Sequence, residues 1–240
     1  MLNRNIKTSF RVAKYIARSG IWSRREAEQI IVEGRVSVDG EIITSPALNV
    51  SMESEILVDG KKISFQMDSE IYLYHKPKGL IVSRNDELER ATVFDELPLF
   101  LKRFISVGRL DKESSGILLL TNNGEISRFL ELPKNKINRK YHVVVNGRLS
   151  DKNIKNIKKG LKIGAFFYKP IKIKIIKSSN KISIYEMLLF EGKNREIRNI
   201  MNFFRLKVLD LKRIAFGPYE LGKLKISNYI KGDIDLIKFD

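Results

Sequence analysis

The sequence predicts an α+β protein in two parts, and three features carry that prediction. Near the N-terminus, two short amphipathic helical stretches precede two Asp-Gly turns, Asp39-Gly40 and Asp59-Gly60, each flanked by short apolar segments. Beyond residue 70, strand-like runs alternate with capped helical stretches. No internal repeat or low-complexity block interrupts either part.

In the first part, Thr8 or Ser9 is placed to cap a helix running to about Ser19, with Gly20 as its stop. Val12, Ala13, Ile16 and Ala17 form its apolar side, and Arg11, Lys14 and Arg18 form a basic stripe on another. Ser23-Arg24-Arg25-Glu26 has the capping-box pattern and opens a second helix. Its apolar positions Ala27, Ile30 and Ile31 repeat at i, i+3 and i+4, and Gly34 ends it. Arg35–Val38 with Glu41–Ile43, and Ile56–Val58 with Lys61–Ile63, then read as two hairpins. A unit of roughly 60 residues folds alone only marginally. No acid offsets the stripe within the first helix, so Arg11, Lys14 and Arg18 are candidate contacts to a polyanion rather than only a solvated face. Arg24 and Arg25 at the start of the second helix join them.

Gln66–Glu70 is polar and reads as a linker that lets the small unit swivel. Ile71–His75 reads as a strand ending at Lys76-Pro77-Lys78-Gly79, a turn whose lysines either present ammonium groups to phosphate or are merely solvated. Thr92 is placed to cap a short helix that Pro98 terminates. The Gly-bounded loop Gly108-Arg109-Leu110-Asp111 comes next, followed by the apolar run Ile117–Leu120, a buried strand. A carboxylate at such a junction is held by rigid backbone and stays open to a ligand. The plain alternative is a salt bridge from Asp111 to Arg109 or Lys112, with no chemistry.

Asn122 or Asn123 caps a helix over Glu125–Leu132, stopped by Pro133. The basic loop Lys134–Lys140 leads into the strand Tyr141–Val145. Ser150 caps a helix over about Asp151–Lys159, ended by Gly160. Ile171–Ile175 alternates with period two, a strand with one wet, basic face, and Lys181–Phe190 is a longer strand more deeply buried. Gly192-Lys193 turns the chain into a helix, Arg195–Phe204, with Arg195 and Arg198 sharing a face away from Ile197, Ile200 and Met201. Val208–Ala215 is a further strand, broken by Gly217-Pro218, and the remainder to Asp240 is expected to supply a closing strand and turn.

Composition narrows the function. Lys+Arg 45 against Asp+Glu 28 gives +17, a charge that points to a polyanionic partner. No apolar run approaches the ~20 residues of a spanning helix, and Met1–Phe10 is polar, so neither membrane association nor a secretory signal is expected. Without cysteine there is no disulfide, thiolate zinc site or Cys nucleophile, and two histidines, His75 and His142, make a histidine metal site unlikely on numbers alone. A cytoplasmic, cofactor-poor protein is the expectation.

Three stretches, in order, resemble the RsuA/RluB/RluE/RluF family of RNA pseudouridine synthases. They are Gly108-Arg109-Leu110-Asp111 with its Leu-rich strand, Lys140-Tyr141 with its strand, and Glu191-Gly192-Lys193-Asn194-Arg195-Glu196-Ile197-Arg198. The stretch from Arg84-Asn85-Asp86 to Pro98 is similar to the RluB-like large-subunit branch. Ser23-Arg24-Arg25-Glu26-Ala27-Glu28 and Gly34-Arg35-Val36-Ser37-Val38-Asp39-Gly40 resemble the S4 RNA-binding domain, over about Thr8–Phe65. The similarity spans about Thr8 to Tyr219.

The resemblance implies an α+β pseudouridine synthase fold. An S4-like RNA-binding domain, 8–65, would be joined by a linker, 66–70, to a catalytic domain, 71–240, on a mixed, mostly antiparallel sheet flanked by helices. It implies that Asp111 is catalytic and that a flipped uridine of ribosomal RNA is isomerised, with 23S rRNA or a pre-50S particle as the expected partner. Tyr141 matches the substrate-stacking Tyr, and its hydroxyl could also help move the C5 proton. A covered carboxylate resists ionisation and a neighbouring guanidinium offsets this; Arg198, with Arg195 second, is the implied partner of Asp111. Arg109, Lys193 and Lys76 are further candidate substrate contacts, Arg109 to phosphate or backbone beside the flipped nucleotide. His142, on the opposite strand face from Tyr141, is expected to be packed or solvated. No step requires a metal or organic cofactor, and a monomer is expected.

Two positions depart from the family pattern: Asn123 stands where Thr-x-Asp-Gly has Asp, and Asn199 where a second Arg follows Arg198. The rival reading is a non-enzymatic S4-type RNA-binding or ribosome-assembly protein. An Asp111 buried against structural residues, with no cleft beside Tyr141, would decide in its favour. The same reaction on small-subunit rRNA is a further alternative.

Overall fold

The computed structural model describes residues 9–66, 68–84 and 86–238. The chain divides into two units, Met1–Ser69 and Glu70–Asp240. In order, the first contains β1 (Ser9–Arg11), α1 (Val12–Arg18), α2 (Arg24–Val32), β2 (Val36–Val38), β3 (Glu41–Ile43), β4 (Asn49–Ser51), β5 (Ile56–Val58) and β6 (Lys61–Lys62).

The first helix begins later than its sequence suggests. Arg11 is its N-cap, without a side-chain cap bond, because residues 9–11 pair antiparallel with β4, Ser9 opposite Ser51. A long-range backbone ladder there prevails over a local cap; Thr8 lies outside the described residues. The capping box of α2 is complete: Glu26 N–H donates to Ser23 Oγ at 3.3 Å and Ser23 N–H to Glu26 Oε2 at 2.6 Å. Strands β3-β2-β5-β6 form an antiparallel sheet. Both of its Asp-Gly turns have positive φ at each residue, 52° and 90° for Asp39-Gly40 and 49° and 74° for Asp59-Gly60. That backbone matches the twist of tight hairpins. Val12, Ile16, Ala27, Ile31, Val36 and Ile56 are fully buried and form the core between helices and sheet.

The basic stripe requires correction. Arg18 is buried, its guanidinium donating to the Gln66 carbonyl at 2.6 Å and lying 5.1 Å from the centre of the Phe65 ring. It ties the helix to the end of the unit instead of facing RNA. Lys14 is half-buried above the Phe10 ring, whereas Arg11, Arg24 and Arg25 are exposed.

The second unit contains β7 (Ile71–Lys76), α3 (Val93–Glu96), β8 (Ile105–Val107), β9 (Ser115–Thr121), α4 (Gly124–Glu131), β10 (Arg139–Asn146), α5 (Asp151–Lys159), β11 (Leu161–Ile163), β12 (Phe166–Tyr168), β13 (Lys172–Lys177), β14 (Ile182–Leu189), α6 (Glu196–Phe203), β15 (Val208–Phe216), β16 (Tyr219–Glu220) and β17 (Tyr229–Lys231). Its main sheet runs β13-β14-β10-β15-β9-β7-β17, with β8 on β9 and β16 on β15. Every pairing is antiparallel except β15–β9, so the sheet is mixed and mostly antiparallel, as expected.

The apolar run at 117–120 is explained by burial on both faces of β9. Ile117 and Leu119 pack with Ile126 and Leu130 of α4, while Leu118 and Leu120 pack with Phe94, Leu97 and Leu101 on the other side. The parallel seam is short, pairing Lys212 with Ser115 and Arg213 with Gly116. Gly116 has φ +112°, and a Cβ there would lie 2.2 Å from the Arg213 carbonyl oxygen, so this approach admits only glycine.

Asn123 retains the cap of α4, its Oδ1 accepting from Glu125 N–H at 2.9 Å, so its departure from Asp costs no helix contact. The expected alternation of β13 holds over Ile171–Lys174, with both isoleucines buried and both lysines exposed, and ends at Ile175. A register shift between Ile175 and Lys177 breaks the alternation on this edge strand, leaving Ile175 and Ile176 both exposed. Among the described residues, no helix is long and apolar enough to cross a membrane.

Candidate active site

The loop between β8 and β9 is held from two sides. Gly108 turns it with φ +66°, and Leu110 anchors it in the core shared with Leu118 and Leu120. From the end of β7, Lys76 Nζ donates to three carbonyls: Pro77 at 2.8 Å, Ser114 at 2.9 Å and Asp111 at 3.2 Å. Lys76 has no solvent exposure, and burial pushes its ammonium down to about 8, against the pull of Asp111 and Glu113. The expected phosphate contact is therefore corrected. Lys76 is an internal brace of the Asp111 loop, and it is Lys78 that reaches the surface, paired with Asp210 at 2.5 Å. From α6, Arg198 Nη2 donates to the Glu113 carbonyl at 2.8 Å and to Ser114 Oγ at 3.3 Å.

Between these braces the Asp111 carboxylate projects with 31% of its side chain exposed. Its Oδ2 lies 3.8 Å from Arg198 Nε and 3.8 Å from Arg195 Nη1. These two are its ion-pair partners among the described residues, and not Arg109 or Lys112. The guanidinium groups differ in setting, Arg198 being 14% exposed and Arg195 52%. Burial, followed by the like charge of Arg195, pushes the Arg198 guanidinium below its ordinary value. Arg195 is the N-cap of α6, with φ +51°, so the helix starts one residue later than its sequence suggests.

Asp111, Arg109, Tyr141, Lys193 and Arg195 line one cleft of about 310 Å³ beside the central strands β10 and β15. Arg198 is not among the lining residues and meets the site through Asp111, Glu113 and Ser114. Tyr141 is half-buried on β10, opposite Arg213 of β15 and Met187 of β14. His142, on the other face, is half-buried in register with Glu186 and Lys212. Lys193 reaches the cleft with its ammonium already engaged, by Glu191 Oε2 at 3.1 Å and by the Phe167 carbonyl. Asp111 is thus part-exposed on a cleft that Tyr141 also lines.

A family model described as RNA pseudouridylate synthase matches residues 70–203, and an S4 domain model matches residues 10–56. The chain belongs to the RNA pseudouridylate synthase family. A Rickettsia felis protein named as an uncharacterized RNA pseudouridine synthase is 47% identical over 219 residues, 91% of this chain and 95% of that protein. The ribosomal large subunit pseudouridine synthase B of Salmonella typhimurium is 36% identical over 247 residues, covering 95% of this chain and 84% of its own. A crystal structure of a pseudouridylate synthase shares the fold, with TM-score 0.67 at 23% identity, covering 95% of this chain and all of that one (100%). The motif resemblance at Gly108–Asp111, Lys140-Tyr141 and Glu191–Arg198 is borne out at the level of the family.

In this pseudouridine synthase, five further ionisable residues line the cleft that sequence reasoning passed over: Glu131, Arg139, Glu191, Glu196 and Arg213. Arg213 is buried, its Nε donating to the Ile117 carbonyl at 2.8 Å and its Nη1 to the Arg109 carbonyl at 3.5 Å. Its Nη2 is buried without a hydrogen-bond partner among the described residues. Arg139, also buried, donates to the carbonyls of Ile137 at 2.9 Å and Leu130 at 3.0 Å. Both guanidinium groups lie against the Phe216 ring, at 4.7 Å for Arg139 and 4.9 Å for Arg213. A signal for Arg213 exists in the sequence: two-residue periodicity puts it on the face of Leu211 and Ala215, where an unneutralised charge is out of place.

Glu191 and Glu196 form a buried carboxyl pair in the cleft wall. Burial and the charge of Glu191 push Glu196 up to about 7. Glu191 is itself raised by burial, but the Lys169 N–H at 2.8 Å and the Lys193 ammonium bring it below its ordinary value. Asn199 donates to the Tyr168 hydroxyl at 3.2 Å and to the Asn194 carbonyl at 3.2 Å. Among the described residues, no group of three or more His, Cys, Asp or Glu side chains is arranged to hold a metal ion.

Proposed function

We propose that this enzyme isomerises a uridine of large-subunit ribosomal RNA, with Asp111 as the carboxylate that acts at C1′ of a flipped nucleotide. One observation carries the reading: a part-exposed Asp111, 3.8 Å from each of two guanidinium groups, on a cleft that Tyr141 also lines. The large-subunit target is supported by the name of the Salmonella relative and by the sequence from Arg84 to Pro98.

In the proposed reaction the N1–C1′ bond breaks and its electron pair leaves with the uracil, while an Asp111 oxygen takes up the electron deficiency at C1′. The uracil turns, C5 supplies the pair for the new C5–C1′ bond, and the carboxylate is released. The C5 proton is then lost and N1 gains one. Atoms and electrons balance within the nucleoside, so the step calls for no oxidant, reductant or group donor. Tyr141, a lining residue of the cleft, gives the unstacked base a π-face, and its hydroxyl is the group that moves the C5 proton in this reading. Arg195 and Arg198 offset the carboxylate charge, Arg109 takes a phosphate, and Arg11, Lys14, Arg24 and Arg25 give the S4 domain its hold on RNA. The enzyme works as a monomer in the cytoplasm, where ribosomes are assembled.

Unmodified 23S and 16S transcripts, incubated separately with the purified protein and mapped for pseudouridine, test the reading. Wild type is expected to modify the 23S transcript, and Asp111→Asn and Asp111→Ala to form none while binding RNA nearly as well. Full activity in either variant would rule out the carboxylate mechanism, and modification of 16S alone would move the target to the small subunit.

A further inference from the structure

The β11–β12 hairpin ends in two exposed aromatic rings, Phe166 at 64% and Phe167 at 54% exposure, across the Gly164-Ala165 turn from Ile163. Its root is built differently: Tyr168 is buried and its hydroxyl accepts from Asn199 of α6 at 3.2 Å. Adjacent strand positions face opposite ways, so the tip carries one ring on each side. Phe167 keeps one contact, its ring tip lying over Gly160 where an added Cβ would come within 2.9 Å of it, and both rings otherwise remain more than half exposed.

The hairpin is continuous with the cleft. Lys193, a lining residue, donates to the Phe167 carbonyl, and Lys169 N–H donates to Glu191 Oε1 at 2.8 Å. The surroundings are cationic: Lys162 lies opposite Phe167 in register, and exposed Lys169, Lys172, Lys174 and Lys177 follow along the chain. Rings beside a row of lysines suit one ligand chemistry, an unpaired polynucleotide whose bases stack while its phosphates are neutralised.

We propose that this hairpin is a base-stacking arm, in which Phe166 and Phe167 insert between unpaired nucleotides adjoining the target uridine and Lys162 and Lys169 meet their phosphates. The arm rests on RNA being the substrate. It adds a contact that selects unpaired RNA beside the cleft and leaves the isomerisation step to the cleft residues.

Two full-length variants test it on the 23S transcript: Phe166→Leu/Phe167→Leu, which keeps apolar bulk without a π-face, and Phe166→Trp/Phe167→Trp. The leucine pair is expected to lower kcat/KM about tenfold or more through KM, with kcat within about twofold and an unchanged unfolding midpoint. The tryptophan pair is expected to restore kcat/KM to within about threefold. Its fluorescence should be quenched on RNA addition beyond that of the wild type, whose one tryptophan is Trp22. Wild-type kcat/KM in the leucine pair, or no added quenching in the tryptophan pair, overturns the arm. A wild type that binds RNA but forms no pseudouridine would defeat the enzymatic reading, and the quenching would still decide the arm.

Discussion

Arg198 holds Asp111 in two ways: its Nε lies 3.8 Å from the carboxylate, and its Nη2 bonds at 2.8 Å to the Glu113 carbonyl of the same loop. Charge and position are thus supplied by one half-buried side chain. Arg198→Ala is expected to lower kcat about 10²-fold, as small misplacements of reacting groups do. Arg198→Lys should recover only part, because an ammonium cannot serve both contacts. Arg195→Ala, at an exposed position, should cost less than Arg198→Ala. Steady-state pseudouridine formation by the three variants checks the order.

Lys76→Met keeps the volume of a fully buried side chain and removes the donors of three carbonyl contacts. The change should destabilise the protein by about 2–3 kcal/mol through unpaired buried acceptors, with a loss of kcat as the Asp111 loop loosens. Urea unfolding measured beside activity would separate the two effects. A stable but RNA-deficient Lys76→Met would restore the phosphate role that burial argues against.

Gly116→Ala places a methyl group 2.2 Å from the Arg213 carbonyl oxygen at φ +112°. Backbone cannot yield there as a side-chain tip would, so the loss should reach several kcal/mol. The expected outcome is an insoluble or unfolded protein, seen in expression and thermal melts.

Glu196 supplies a pH dependence. Its ordinary value is 4.5 and burial beside Glu191 raises it to about 7, so between those pH values the folded state holds a proton that the unfolded state lacks. Stability from this group is therefore greatest at acid pH and falls as pH rises through 7. Glu196→Gln keeps the side chain neutral. It should melt above wild type at pH 8, with the gap shrinking toward pH 4.5; a gap that widens in acid would contradict the assignment.

For the smaller unit, Arg11→Ala and Arg25→Ala are each expected to flatten the log–log salt dependence of RNA binding by roughly 0.7–0.9, the contribution of one phosphate contact. Arg18→Ala should leave that slope unchanged and lower the melting temperature, since its guanidinium is spent on the Gln66 carbonyl. A reduced slope for Arg18→Ala would return it to the RNA-facing set.

What could be read from the chain followed from patterns that are local. The Asp-Gly hairpins, the Ser23–Glu26 capping box and the two-faced strand at Ile117–Leu120 need only neighbouring residues to declare themselves. The spacing of Arg195 and Arg198 brought both to Asp111, although one caps the helix and the other lies within it. What stayed hidden depended on partners distant in sequence. The pairing of residues 9–11 with 49–51 erased an expected helical turn, and the short strands β11 and β12 give almost no periodic signal. Lys76 and Arg18 were misjudged for one reason: a sequence gives the sign of a charge, whereas its burial is decided by the carbonyls that enclose it.

The parallel join between β9 and β15 rests on two register pairs among the described residues. Asp111 enters from the β7–β9 side of that suture, while Tyr141 and both arginines enter from the β10–β14–α6 side. Neither half alone brings Asp111 together with Tyr141, Arg195 and Arg198. On the proposed reading, the reacting set is therefore complete only where the two margins of the sheet meet at Gly116.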